Sequence, residues 1–252
     1  MLQSLPHQRV ALAGDWHGNS AYARRTFAYA AERGAQGLIQ LGDFGVWPNG
    51  EQFLKDVNRA ARMHEMWFAF IDGNHDDHWR ILRTPIDSTG VRIIAGEILH
   101  IPRGFRWQWG PTRWVGLGGA VSLDRPFRTV GVSYWPEETI TPEQRQRTID
   151  GGPADVLLTH DVGACVTVPG LPPEDSWPPE EMAAANAHRR VLDGIAEVVR
   201  PRHWFHGHMH VSHQQDVIIG HRRCKVRGLD CDGSPMKKHV TIVDGVTLRT
   251  LA

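Results

Sequence analysis

The amino-acid sequence predicts an α/β fold built on a parallel sheet, and three observations lead to it. Short apolar runs alternate with helical patterns through the first third of the chain. The rhythm changes to closely spaced strand-like pieces after Val91, and five of the strand-like runs stop at polar, ligand-type side chains.

Arg9 to Ala13 reads as a strand ending at Gly14-Asp15-Trp16-His17-Gly18-Asn19, and Ser20 to Arg33 carries a helical pattern. The unit repeats twice. Strand Gly37 to Leu41 ends at Gly42-Asp43 before helix Glu51 to Glu65, and strand Trp67 to Ile71 ends at Gly73-Asn74-His75-Asp76 before a short helix from His78 to Leu82. Strands separated by helices pair in parallel. Val91 to Ala95, Ile98 to Ile101, Phe105 to Trp109 and Arg113 to Leu117 then suggest antiparallel strands at a sheet edge or in a second sheet. Val121 to Thr141 is a long loop without a period, a length usually tied to function or mobility. Pro142 to Ile149 reads as a short helix and Ala154 to Thr159 as a buried strand closing on His160. Pro169 to Glu181 holds too many prolines for helix or central strand; a surface loop is the simpler reading and a lid the alternative. Ala183 to Val199 is a helix, and Trp204-Phe205 a brief strand running into His206-Gly207-His208-Met209-His210. Gln214 to Ile219, Arg222 to Val226, Val240 to Val243 and Val246 to Leu251 read as strands, the last two joined by a tight Asp244-Gly245 turn.

The 252 residues suit one domain over 1–252, and 28 basic against 28 acidic side chains leave no net charge. That balance points away from extended nucleic acid and from membrane surfaces. Three cysteines without paired spacing, no leader-like start and no membrane-length apolar segment point to a soluble, cytoplasmic protein. Oligomeric state has no sequence signature here.

Singly, the polar strand ends have ordinary explanations. Asp15 and Asp43 suit helix caps, Asn74 and Asp76 a turn, His160 a core histidine, and His208 and His210 a hairpin. Parallel strands, however, set their carboxyl ends along one edge, where all of these would converge. Carboxylate, imidazole and carboxamide without thiolate form the ligand set of Mn²⁺, Fe, Zn²⁺, Co²⁺ or Ni²⁺. Two ions would use every group, whereas one four-coordinate zinc would leave several without a role.

In this order Asp15-Trp16-His17, Gly42-Asp43, Gly73-Asn74-His75-Asp76, His160 and Gly207-His208-Met209-His210 resemble the full signature of the calcineurin-like metallophosphoesterase superfamily. The resemblance implies a four-layer αββα sandwich of two mixed sheets flanked by helices, with two divalent metal ions at the strand ends, Mn²⁺ the first choice. By position, one ion would be held by Asp15, His17, Asp43 and His210 and the other by Asp43, Asn74, His160 and His208, with Asp43 bridging. The implied chemistry is attack on phosphorus by a hydroxide between the ions. The implied catalytic pair is His75, protonating the leaving oxygen, and Asp76, orienting the His75 ring.

The stretch from Gly118 to Glu138 resembles a loop of small bacterial and phage-encoded members. It makes Arg125 and Arg128 candidate phosphate or ribose contacts and Tyr134 or Trp135 candidate stacking platforms. His206 and His213 are candidates for orienting the metal ligands. The expected activity is hydrolysis of a small nucleotide-like phosphodiester, such as a 2′,3′- or 3′,5′-cyclic nucleotide. The alternatives are a phosphomonoesterase (a protein phosphatase or dinucleoside polyphosphate hydrolase), a nuclease, and a noncatalytic scaffold. The scaffold reading fits poorly, because every ligand position and His75 are filled.

Overall fold

A computed structural model describes residues 2–251 and shows two mixed β-sheets packed face to face with helices on both outer sides, the αββα arrangement expected. Sheet 1 is built on the three β-loop-α units: β1 (Val10–Ala13), α1 (Ser20–Glu32), β2 (Gly37–Leu41), α2 (Glu51–Met63), β3 (Trp67–Ile71) and α3 (His78–Arg83). Strands β1, β2 and β3 pair in parallel. Asn19 caps α1 and Asp77 caps α3 through their side-chain oxygens, which explains why polar loops turn directly into helices. β5 (Ile98–His100) adds in parallel to β3, and β4 (Arg92–Ala95) closes that edge antiparallel to β5.

β6 (Phe105–Trp109) and β7 (Thr112–Leu117) form an antiparallel pair at one edge of sheet 2, so the strand-rich middle of the chain supplies edges to both sheets. α4 (Pro142–Asp150), β8 (Val156–Thr159), α5 (Pro179–Val199) and β9 (His203–His206) follow, with β7, β8 and β9 parallel. The hairpin β10 (His213–Ile219) and β11 (Arg222–Gly228) completes sheet 2, and α6 (Met236–His239), β12 (Val240–Val243) and β13 (Thr250–Leu251) return to sheet 1 beside β1.

Burial follows the two-residue period of the strands. Leu12, Ile39, Leu41 and Ile71 meet Trp114, Val156, Leu158 and Phe205 between the sheets. Phe27, Val57 and Phe68 belong to the core under α1 and α2, and Leu157, Trp204 and Leu192 to the core under α5.

Three expected elements differ. α5 begins at Pro179 rather than Ala183, because proline at the first helical position gives up an N–H that has no partner there, and Glu180 and Glu181 follow in a turn that favours acids. The last strand is only Thr250–Leu251. The Asp244 carboxylate accepts the N–H groups of Val246 and Thr247, which wraps the chain into a wide turn instead of a tight Asp-Gly hairpin. The Val121 to Thr141 loop contains two 3-10 turns, Arg125–Phe127 and Pro136–Glu138.

Candidate active site

The carboxyl ends of β1, β2, β3, β8 and β9 open on one side of the sandwich and bring the polar strand ends together. Donor atoms of Asp15, His17, Asp43 and His210 lie within 4.8 Å of one another, as do those of Asp43, His160 and His208. Asp43 belongs to both groups. Asn74 joins the second, its Oδ1 3.1 Å from His160 Nε2.

Close backbone packing makes this convergence possible. A Cβ on Gly73 would lie 2.1 Å from the Asp43 nitrogen, and one on Gly207 would lie 2.2 Å from Asp15 Oδ1, so only glycine fits beside these carboxylates. His17, Asp43, His208 and His210 all take left-handed backbone angles, with φ of 44°, 52°, 60° and 50°. Non-glycine residues rarely adopt that region, and such strain gathers where side chains must be aimed at a site.

Asp15 and Asp43 are buried, and no Lys or Arg among the described residues pairs with either. Asp15 meets His210 Nε2 at 3.1 Å, and Asp43 meets His160 Nε2 at 3.3 Å and His17 Nε2 at 3.5 Å. Burial alone would lower the His17 pKa, yet the hydrogen bond and charge of Asp43, with Asp15, push it up to about 10. The hydrogen bond with Asp15 leads in pushing His210 up to about 11, and the Asp43 and Asp15 charges override burial to hold His160 at about 9. Buried carboxylates that can recruit protons only from imidazoles need positive charge. Divalent cations would supply it and displace those protons, so the oxygen and nitrogen donors fit two such ions.

Several groups that aim these side chains were not among the expected site residues. His17 Nδ1–H donates to Asp232 at 2.9 Å, and Asn19 holds the other Asp232 oxygen at 2.8 Å. His160 Nδ1–H donates to the Leu41 carbonyl at 2.7 Å, leaving Nε2 toward Asp43 and Asn74. Asn74 Nδ2 donates to Ser122 Oγ at 3.0 Å, and Ser122 is held by the Glu138 carboxylate, so the amide presents its oxygen to the site. A polar residue near the site is too common a sequence feature to have marked Asp232, Ser122 or Glu138.

Asp76 requires a correction. It is buried, and its carboxylate accepts the backbone N–H groups of Gly45 (2.8 Å), Gly73 (2.9 Å), Val46 (3.0 Å) and Phe44 (3.2 Å). Asp76 therefore ties the loop after β2 to the loop after β3 and does not orient the His75 ring. That ring lies against Arg128, whose Nη2 is 2.7 Å from Nδ1 and also touches Nε2. Asp124 holds Arg128 from the other side at 2.8 Å. His206 and His213 contact each other at 3.0 Å and reach none of the candidate ligands.

A pocket of about 570 Å³ opens on Asp43, Asn74, His75, His208 and His210. The proline-rich segment borders it through Leu171, Pro172, Glu174 and Trp177, so this stretch lies at the mouth of the site. Arg125, Arg128 and Tyr134 are not among its lining residues. Arg125 is bound to Glu181 at 2.6 Å, and Trp135 is too buried to offer a face to a base.

The family model described as calcineurin-like phosphoesterase matches residues 8–212. No curated protein matches the chain. Among solved structures, TT1561 of Thermus thermophilus is similar at 12% identity and a TM-score of 0.57, covering 97% of each chain. A dimetal phosphatase from Danio rerio is similar at 9% identity and a TM-score of 0.52, covering 96% of this chain and 94% of that one. At such identities the likeness is one of fold.

Proposed function

The chain belongs to the calcineurin-like phosphoesterase family, and from that premise we propose that it hydrolyses a small, singly charged, nucleotide-like phosphodiester such as a cyclic nucleotide. It is a metal-dependent phosphoesterase with two candidate metal clusters. The finer reading is carried by one observation: among the described residues, the pocket over those clusters is lined by no lysine and by a single arginine, Arg189. Arg189 directs its Nε and Nη2 donors to the carbonyls of Val162, Gly163 and Val166. Arg125 is held by Glu181 and Arg128 by Asp124 and His75. Apart from the cations themselves, a monoester dianion would find only Arg189, already donating to three carbonyls, for its second charge, whereas a diester needs no further cation.

The rest of the wall supports a compact substrate. Leu123, Leu171, Trp177 and Met182 give an apolar side on which a base could lie, while Asp124, Asp161 and Glu174 disfavour a longer polyanion.

In this reading Asp15, His17, Asp43 and His210 hold one cation, and Asp43, Asn74, His160 and His208 the other, with Mn²⁺ our first choice for these oxygen and nitrogen donors. The ions would neutralise charge on the phosphoryl oxygens and make water acidic enough to supply a nucleophile near neutral pH. His75 borders the pocket, and its backbone is fixed by its N–H donating to Asp43 Oδ1 (2.8 Å) and its carbonyl accepting Trp47 Nε1–H (2.9 Å). Its ring delivers the proton to the leaving oxygen. The free thiols of Cys165, Cys224 and Cys231 support a reducing, cytoplasmic setting.

The test compares bis-p-nitrophenyl phosphate, p-nitrophenyl phosphate and cyclic nucleotides with Mn²⁺, Zn²⁺ and Co²⁺, using His75→Ala as control. Preferred cleavage of the diesters is expected; faster cleavage of the monoester would overturn the diester assignment.

A further inference from the structure

A second cavity, of about 620 Å³, lies away from the metal clusters at the start of β9 and along β10 and β11. Strand alternation and register place His203 and Phe205 of β9 on one face of sheet 2 with Lys225 and Arg227 of β11. Phe205 packs in the core between the two sheets, so this is the inner face of sheet 2. Elsewhere that face is apolar. Here it carries Lys225 and Arg227, and Arg202 and Arg249 join them around the cavity.

Four cationic side chains therefore surround one space in a chain with no net charge. The acidic group lining the cavity is Asp216, which is already paired with Arg223 at 3.3 Å. Among the described residues no ion pair engages Arg202, Lys225, Arg227 or Arg249, in contrast to Arg222 and Arg113, which both reach Asp155. Arg227 Nε is a buried donor without a hydrogen-bond partner. An unpaired guanidinium N–H at a buried position costs stability unless something accepts from it. The neighbourhood also acts on His203, which burial, Lys225 and Arg202 push down to about 4.

We propose that this groove is an anion site for a small phosphorylated ligand bearing two or more negative charges, of the pyrophosphate or nucleotide polyphosphate type. Several guanidinium and ammonium donors around one cavity match clustered phosphoryl oxygens. The partly exposed His203 ring, stacked on Phe205 with centroids 6.0 Å apart, offers a flat surface beside the cations. β9 separates the groove from the metal clusters, which lie past its other end at His208 and His210. This inference does not depend on the diester reading, because it concerns binding alone.

The test is calorimetric titration of the full chain with inorganic pyrophosphate. Asp43→Asn protein, altered at the carboxylate common to both metal clusters, should still bind the probe. The Lys225→Gln/Arg227→Gln double variant should lose affinity by about tenfold or more while cleaving bis-p-nitrophenyl phosphate as the wild type does. Should that variant fail to fold, the exposed pair Arg202→Gln and Arg249→Gln carries the same test. Pyrophosphate binding that survives these substitutions, or that is lost in Asp43→Asn, would overturn the proposal. A single-stranded oligonucleotide binding more tightly than pyrophosphate would also overturn it, by assigning the groove to nucleic acid.

Discussion

Arg128 lies against His75, its Nη2 2.7 Å from the imidazole Nδ1, and among the described residues no other side chain hydrogen-bonds that ring. Guanidinium only donates, so a ring nitrogen must accept, which favours neutral imidazole. Burial lowers the His75 pKa first, and the Arg128 charge adds to it against the pull of Asp43.

Arg128 is thus a positioning residue for His75. If His75 is the proton donor proposed above, Arg128→Ala should lower kcat on bis-p-nitrophenyl phosphate by roughly tenfold or more through lost orientation of the ring, although removal of the Arg128 charge eases its protonation. Metal content, read by elemental analysis, should stay at the wild-type level. Arg128→Lys should recover little, because a single ammonium cannot reach both Asp124 and the ring. An unchanged kcat in Arg128→Ala would show that the contact has no role in turnover.

Asp76 leads to the opposite expectation. Four backbone N–H groups from two loops converge on its carboxylate, and each hydrogen bond to a charged acceptor contributes about 1.5–3 kcal/mol. Asp76→Ala should therefore destabilise the fold by at least about 3 kcal/mol in urea denaturation. A variant that melts like the wild type yet loses turnover as His75→Ala does would restore Asp76 to a direct role beside the ring.

The sequence made the strand ends legible because the relevant signals are local. A two-residue apolar period marks a strand, and a polar side chain just past its end lies where a parallel sheet binds ligands. Asp15, His17, Asp43, Asn74, His160, His208 and His210 could all be found that way. Their partners could not. Asp232 reaches His17 across 215 residues of sequence and Ser122 reaches Asn74 across 48, and no periodicity encodes either meeting. Asp76 misled for a related reason: it sits next to His75 in the chain, but adjacent residues in a turn need not face each other. Pro179 hid the start of α5 because a proline cluster reads as a break, although its last member occupies the one helical position that tolerates it.

Asp232 bears directly on metal retention. Its carboxylate accepts His17 Nδ1–H at 2.9 Å, which fixes the ring and turns Nε2 toward Asp43. Loss of such a partner typically costs 10–100-fold in metal affinity, about that range being expected for Asp232→Ala. Competition with a chelator would measure it, and Asp232→Asn should fall between the two. Equal metal affinity in wild type and Asp232→Ala would mean that neighbouring contacts hold His17 without help.

His239 sets a pH dependence for the same side of the molecule. It is buried, its Nδ1–H donates to the Asp230 carbonyl at 2.8 Å, and its Nε2 accepts the Trp16 indole N–H at 2.9 Å, so both nitrogens are committed in the neutral form. Burial holds its pKa down at about 4, against an ordinary value of 6.5. A histidine depressed in the folded state binds its proton more readily when unfolded, so its contribution is intact above pH 6.5 and is lost as pH falls toward 4. Over that interval the loss is about 1.4 kcal/mol per pH unit, or about 3 kcal/mol in all. His239→Gln keeps a donor and an acceptor without titrating. Urea denaturation of both proteins from about pH 7 to about pH 4 should show the wild type losing its advantage over the variant as the solution is acidified. His78 and His206, likewise held down at about 3, act equally in both proteins and cancel. Parallel stability curves for wild type and His239→Gln would mean that His239 does not stay neutral in the folded protein.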